Sequence, residues 1–249
     1  MSRIDRVRVV VPARDEERLV GRCLESVHRS VAELAAAHPG VSCSVTVVLD
    51  ACRDDTERVV RGFGDVEAVA TTAGAVGVAR ALGVESACRG DDPDRTWVST
   101  TDADTEVPAH WLTTQVDLAT QGYDLIVGSV SPEPGDLDPR ALAHWWARHR
   151  IGEGHAHVHG ANLGFLLAAY REAGGYEPVR RDEDVRLVRA IRATGRAHVA
   201  TARMQVTTSG RRVTRAPGGF GSYLQALPGA GGAQKTGLPP VTPMTVPET

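Results

Sequence analysis

Residues 7–24 read Val7-Arg-Val-Val-Val-Pro-Ala-Arg-Asp-Glu-Glu-Arg-Leu-Val-Gly-Arg-Cys-Leu24, and the change of period inside this stretch decides the fold class. Residues 7–11 are few, rich in β-branched side chains and ended by Pro12, which is the pattern of a buried parallel strand. Beyond them Leu19, Val20, Cys23, Leu24, Val27, Val31 and Leu34 recur three and four apart until Pro39-Gly40, the apolar stripe of an amphipathic helix. Asp15 is placed to cap that helix, with Glu16 and Glu17 complementing the dipole of its first turn.

The alternation continues outward from this unit. Residues 44–49, 66–71, 96–100 and 124–129 read as strands, and 54–61, 77–88 and 108–120 as the helices between them. Strand and helix alternating over some 130 residues predict an α/β fold with a mostly parallel central sheet flanked by helices and right-handed crossovers. Ligands of such sheets sit beyond the carboxyl ends of the strands. At 131–139 the pattern breaks into a turn-rich segment. After it a helix starts at Asp138 or Pro139 and runs through Trp145 and Trp146. Residues 160–167 look extended, 182–194 form a helix closed by Gly195, and 198–206 form a strand. Residues 228–249 hold five Pro and four Gly with only Lys235 and Glu248 charged, the composition of a disordered tail.

Composition agrees with this reading. Of 249 residues 42% are hydrophobic but only 4% aromatic, so the core is built from Val, Leu, Ile and Ala, as suits a covered parallel sheet. A net charge of −3 gives no general attraction to nucleic acid or anionic membrane. Cys23, Cys43, Cys52 and Cys88 show no Cys-x-x-Cys spacing and lie in or beside apolar segments, as reduced core thiols do. The first residues show no apolar region of roughly 7–15 residues ahead of a small-residue cleavage site, and no uncharged apolar run reaches membrane-spanning length, so neither a cleavable leader nor a membrane span is expected and a cytoplasmic location is.

The strongest chemical signal is Thr101-Asp-Ala-Asp104, directly after the strand at 96–100. In extended backbone Asp102 and Asp104 project to one side, where two carboxylates can receive Mg²⁺ or Mn²⁺, an ion that completes its shell with water and phosphate oxygens. A capping Asp beside a solvated one is the plainer explanation of a bare Asp-x-Asp. His155, His157 and His159 alternate along one extended face, open to acceptor contacts, metal or packing.

The whole series is more specific than any motif in it. The stretch from Val9, the strand end 47–50, Gly77-Val-Ala-Arg80, Asp102-Ala-Asp104, Gly160-Ala-Asn-Leu-Gly164, Gly174-Gly-Tyr176 and Glu183-Asp184 fall in the order seen in the inverting nucleotide-sugar glycosyltransferases of family 2. Over residues 7–227 the chain resembles that family. The resemblance implies the GT-A fold, with residues 1–130 as the nucleotide-sugar-binding half and 131–227 as a merged, smaller acceptor-binding and catalytic half. It implies an inverting transfer from a nucleotide-diphosphate sugar to an acceptor hydroxyl, assisted by Mg²⁺ or Mn²⁺. Pro12, Ala13, Arg14 and Glu16 would cradle the nucleoside, Asp50 would contact the base, and Arg80 would lie near the ribose or diphosphate. Asp102 would approach ribose or metal and Asp104 would bind the metal. Arg211 and Arg212 would pair with phosphate oxygens from a closing loop. Asp184 would be the catalytic base and Glu183 would orient the acceptor or a neighbouring side chain. The helix dipole is expected to keep these acids ionised.

Two departures from the family pattern stand out. Ala51-Cys-Arg-Asp-Asp-Thr56 replaces the usual acidic, serine-rich stretch after Asp50, and no histidine follows His198 to serve as a further metal ligand, leaving that place to water or Ser209. A sugar nucleotidyltransferase is the alternative reading, but it calls for a Gly-rich, Lys-bearing phosphate loop, and residues 12–17 contain neither Gly nor Lys. A catalytically inactive nucleotide-sugar-binding protein is the other.

Overall fold

The computed structural model describes residues 4–148, 151–179 and 181–211. Arg212 and the tail expected at 228–249 lie outside the described residues. The first half runs β1 (Arg6–Ala13), α1 (Val20–Ala37), β2 (Ser42–Asp50), α2 (Thr56–Arg61), β3 (Val66–Thr71), α3 (Val76–Ala87) and β4 (Thr96–Thr100). These four strands pair in parallel in the order β3-β2-β1-β4, the expected sheet. The second half runs β5 (Thr105–Glu106), α4 (Trp111–Thr120), β6 (Leu125–Pro132), α5 (Pro139–Arg148), β7 (Leu163–Leu166), α6 (Leu167–Glu172), α7 (Glu183–Ala193) and β8 (His198–Thr208). It extends the sheet as β4-β7-β6-β8-β5, with β7 antiparallel to both neighbours and β8 parallel to β6.

The start of α1 departs from the sequence reading. The helix begins at Val20, not beside Asp15, and Asp15 itself sits at φ 53°. Its carboxylate accepts the Arg53 N–H at 2.7 Å, while the N–H groups of Glu16 and Glu17 donate to Thr56 Oγ1 at 2.6 Å and Asp54 Oδ2 at 3.1 Å. The loop after β1 is therefore welded to the loop after β2. The backbone donors expected at a free helix end are spent in that weld.

Strand β1 also runs past Pro12 to Ala13, whose partners are Val48 and Leu49 on β2. Proline is tolerated in this inner strand because pairing with β4 ends at Val10, whose carbonyl accepts the Thr101 N–H at 3.3 Å. Two residues on, the nitrogen of Pro12 faces the same, now open, side and no ladder bond is lost. Of the span expected to be extended at 160–167, residues Gly160–Asn162 form a 3₁₀ turn and only Leu163–Leu166 a strand. The helix at Pro139 starts as expected, Asp138 accepting the N–H groups of Arg140 and Ala141. The short elements β5 and α6 carry no sequence period and were not anticipated.

Valine and leucine fill the core, with Trp97, Trp111 and Phe165 as its largest buried members. Trp145 is buried in a small separate cluster with Leu137 and Ala141, whereas Trp146 is 44% exposed. Of the two tryptophans, only Trp146 offers a solvent-facing platform. Asn162, fully buried, joins the layers: its Nδ2 donates to the Ser129 and Met204 carbonyls at 2.8 Å, and its Oδ1 accepts Trp111 Nε1 at 2.9 Å.

Candidate active site

Strands β1, β2 and β4 run in parallel, so their carboxyl ends place Arg14–Glu16, Asp50 and the Asp102-Ala-Asp104 loop at one sheet edge. Antiparallel β7 brings its own start to the same edge, where Thr100 Oγ1 donates to the Gly160 carbonyl at 2.9 Å. Helix α3 packs closely above it. A Cβ at Gly77 would lie 2.6 Å from the Glu177 carbonyl and 3.1 Å from Glu183 Cβ, so glycine here admits the chain that leads into α7.

The two aspartates do not point alike as extended backbone would have them. Residues 101–104 turn, with the Thr105 N–H donating to the Asp102 carbonyl at 3.0 Å, and the carboxylates take different partners. Asp102, 36% exposed, pairs with Arg80. Asp104 accepts Thr208 Oγ1 at 3.2 Å and lies 3.1 Å from Arg211 Nη2. Burial, then the charge of Asp102, push the Asp104 carboxyl up to about 7 against the pull of Arg211. Asp102 is likewise raised, by burial first, with Arg80 opposing.

Arg80 is not the exposed helical arginine its position on α3 would allow. Its side chain is 3% exposed and its guanidinium bridges Asp102 and Glu183. Burial disfavours its charge, and the two carboxylates outweigh that. Sequence reading put it near ribose or diphosphate; the structure puts it between the two acidic motifs. Glu183 is buried, and burial raises its carboxyl against the opposing charge of Arg80. Asp184 is half-buried, accepts the Gly160 N–H at 2.6 Å through Oδ2 and caps the Val185 N–H at 2.7 Å. Asp182, at φ 59°, makes no side-chain cap.

Glu16, 7% exposed, is held by both Nη groups of Arg211, the same arginine that reaches Asp104. Arg211, Glu16 and Asp104, but not Asp102, line a cleft of about 450 Å³. Of the residues lining it, eight are Asp or Glu and three are Arg. An anionic diphosphate enters such a cleft only with a cation beside it. Asp102 and Asp104 supply hard oxygen donors of the kind Mg²⁺ and Mn²⁺ take, so the residues fit such an ion. Among the described residues no group of three or more His, Cys, Asp or Glu side chains is arranged to hold a metal.

Other expected residues spread along the edge. Pro12 and Ala13 belong to β1, Arg14 is exposed beyond it, and the buried Asp50 accepts the Gly74 N–H at 2.7 Å. Ser209 does not turn to Asp104 with its hydroxyl, which donates to Asp136 at 3.1 Å; only its N–H reaches the Asp104 carbonyl. His155, His157 and His159 do stack on one face, with ring centroids 6.2 and 6.4 Å apart. Sequence reasoning placed Thr208 at the start of the closing loop but missed its bond to Asp104, and it missed Asp136, which holds the 209–210 turn. Their partners are 104 and 74 residues away, and no local period announces such pairs.

Residues 8–170 match the model of glycosyl transferase family 2. The chain belongs to that family. Its architecture is the GT-A fold, as solved structures also show. This family 2 chain superposes on Staphylococcus aureus TarS residues 1–349 with a TM-score of 0.61 at 13% identity, covering 83% of this chain and 61% of that one. The Pyrobaculum calidifontis mannosyltransferase PcManGT, solved with GDP-Man and Mn²⁺, gives 0.59 at 19% identity, covering 86% and 59%. Mycobacterium tuberculosis glucosyl-3-phosphoglycerate synthase gives 0.51 at 18%, covering 84% and 73%. The family 2 chain therefore spans about three fifths of the first two. No curated protein sequence matches it. Among the described residues no helix is long and apolar enough to cross a membrane.

Proposed function

We propose that this protein is an inverting glycosyltransferase that moves a sugar from a nucleotide-diphosphate sugar to an acceptor hydroxyl. Residues 1–130 bind the donor and 131–227 the acceptor. The observation that carries the proposal is the ion-pair chain Asp102–Arg80–Glu183, which sets the Asp-x-Asp loop beside the Glu183-Asp184 pair at the carboxyl end of the parallel strands. A nucleotidyltransferase calls instead for a Gly-rich, Lys-bearing phosphate loop after the first strand, and residues 12–17 contain neither Gly nor Lys.

Each residue then has a task. Asp50 and the 12–16 segment face the nucleoside. Asp102 and Asp104 hold Mg²⁺ or Mn²⁺, which when bound neutralises the charge gathering on the departing diphosphate. Arg211 moves from Glu16 and Asp104 onto phosphate oxygens, which it can grip with two parallel donors. Asp184, its Oδ2 fixed by the Gly160 N–H, takes the proton from the acceptor hydroxyl as that oxygen bonds to the anomeric carbon and the carbon–diphosphate bond breaks. No covalent enzyme intermediate forms.

Replacing Asp184 tests the proposal. Asp184→Asn keeps the shape and removes the base, so turnover at saturating donor falls by a factor on the order of 10² to 10⁴ while donor affinity is kept. Turnover within about threefold of wild type would assign the proton to another group.

A further inference from the structure

One side chain touches both halves of this site. Arg80 Nη2 meets Asp102 and Nη1 meets Glu183, and the backbone of Gly160 lies against the guanidinium so closely that a Cβ there would sit 2.5 Å from Cζ. Gly160 in turn fixes Asp184 through its N–H and is itself fixed by Thr100. Among the described residues Nε has no hydrogen-bond partner, and the hydrogen bonds of the guanidinium go to the two acids.

We infer that Arg80 is a positioning residue that couples the state of the donor-side carboxylates to the placement of Glu183 and Asp184 on the acceptor side. The inference rests on the reading above, in which Asp102 and Asp104 serve the donor and Asp184 the acceptor. A planar guanidinium presents donors in a fixed fork and can hold two carboxylates at once. A cation arriving at Asp102 competes for its oxygens, and Arg80 then draws toward Glu183. That movement is transmitted to Gly160, packed on the guanidinium, and from its N–H to Asp184. Lysine keeps the charge but, as a single point, cannot span both acids.

The test is calorimetric binding of UDP and of GDP, each with Mn²⁺, to the full chain. Glu183 has no donor contact in the proposed function, yet Glu183→Gln lets Arg80 settle wholly on Asp102, and Mn²⁺-dependent nucleotide affinity falls about fivefold, the low end of couplings between linked sites. In an Arg80→Lys background the same substitution changes affinity by about twofold or less, because the bridge is already broken. Equal shifts in both backgrounds, or none in the wild-type background, overturn the coupling. Should Arg80→Lys not fold, Gly160→Ala serves as the second background, since its Cβ displaces the guanidinium while keeping both charges. Failure of the wild type to bind either nucleotide with Mn²⁺ overturns the donor reading itself, and the coupling with it.

Discussion

Arg211 is a cation that faces two of the acids lining the cleft. Its guanidinium rests on Glu16 and Asp104, so a cation of the chain stands where the proposal puts a metal and a diphosphate. Its two effects on ligands are therefore opposite in sign. Arg211→Ala removes a competitor for Asp104 and is expected to bind Mn²⁺ alone about threefold or more tighter, while the nucleoside diphosphate with Mn²⁺ binds about tenfold weaker for want of a charge-assisted pair. Calorimetry with the two ligands separates these effects. Changes of the same sign in both would mean that Arg211 only braces Glu16.

The elements divide into those that local pattern specifies and those that distant partners specify. Strands β1, β2 and β4 were legible because each is a short apolar run largely buried within the sheet, whereas β3 has no fully buried residue and was read from its alternation with the flanking helices. The first turn of α1 was not legible. Asp15, Glu16 and Glu17 carry the composition of a helix start, but Asp54 and Thr56, nearly forty residues on, claim their backbone donors. The same holds within the site: the residue types of Asp102, Asp104, Glu183 and Asp184 were readable, whereas the burial of Arg80 and the turn that parts the two aspartates depend on contacts with Glu183 and Thr208. Packing of α3 on the sheet gives a prediction at this scale. A Cβ at Gly83 would lie 2.4 Å from Val10 Cγ1 and 2.9 Å from Val48 Cγ2, two β-branched side chains with little room to turn. Gly83→Ala is expected to destabilise by about 1–2 kcal/mol, overpacking exceeding the gain in helix propensity. Thermal unfolding should show a midpoint lowered by roughly 2–8 °C. An unchanged or raised midpoint would mean that α3 can ride up off the strands.

At the scale of the molecule, Asn162 and Arg80 join what the change of strand direction at β7 divides. Asn162 ties β6, β8 and α4 with three hydrogen bonds, and Asn162→Ala leaves two carbonyls and an indole N–H buried without partners. With each such loss costing about 1–3 kcal/mol, the variant should lose at least about 3 kcal/mol or fail to accumulate folded. A loss under about 1 kcal/mol by denaturant titration would show that water replaces the amide. In the proposed function the acidic cleft, which Asp104 lines, takes a diphosphate when a divalent ion joins Asp104 to the neighbouring Asp102. The most direct measurement is a thermal-shift panel of nucleoside diphosphates, with and without Mn²⁺, on the wild type and on Asp104→Ala, since ligands of the native state raise its apparent stability. One base is expected to stand out, its shift to require Mn²⁺, and Asp104→Ala to remove the shift while remaining folded. A nucleotide shift that persists in full without Mn²⁺ or in Asp104→Ala, or no shift from any nucleotide, would contradict the proposed function.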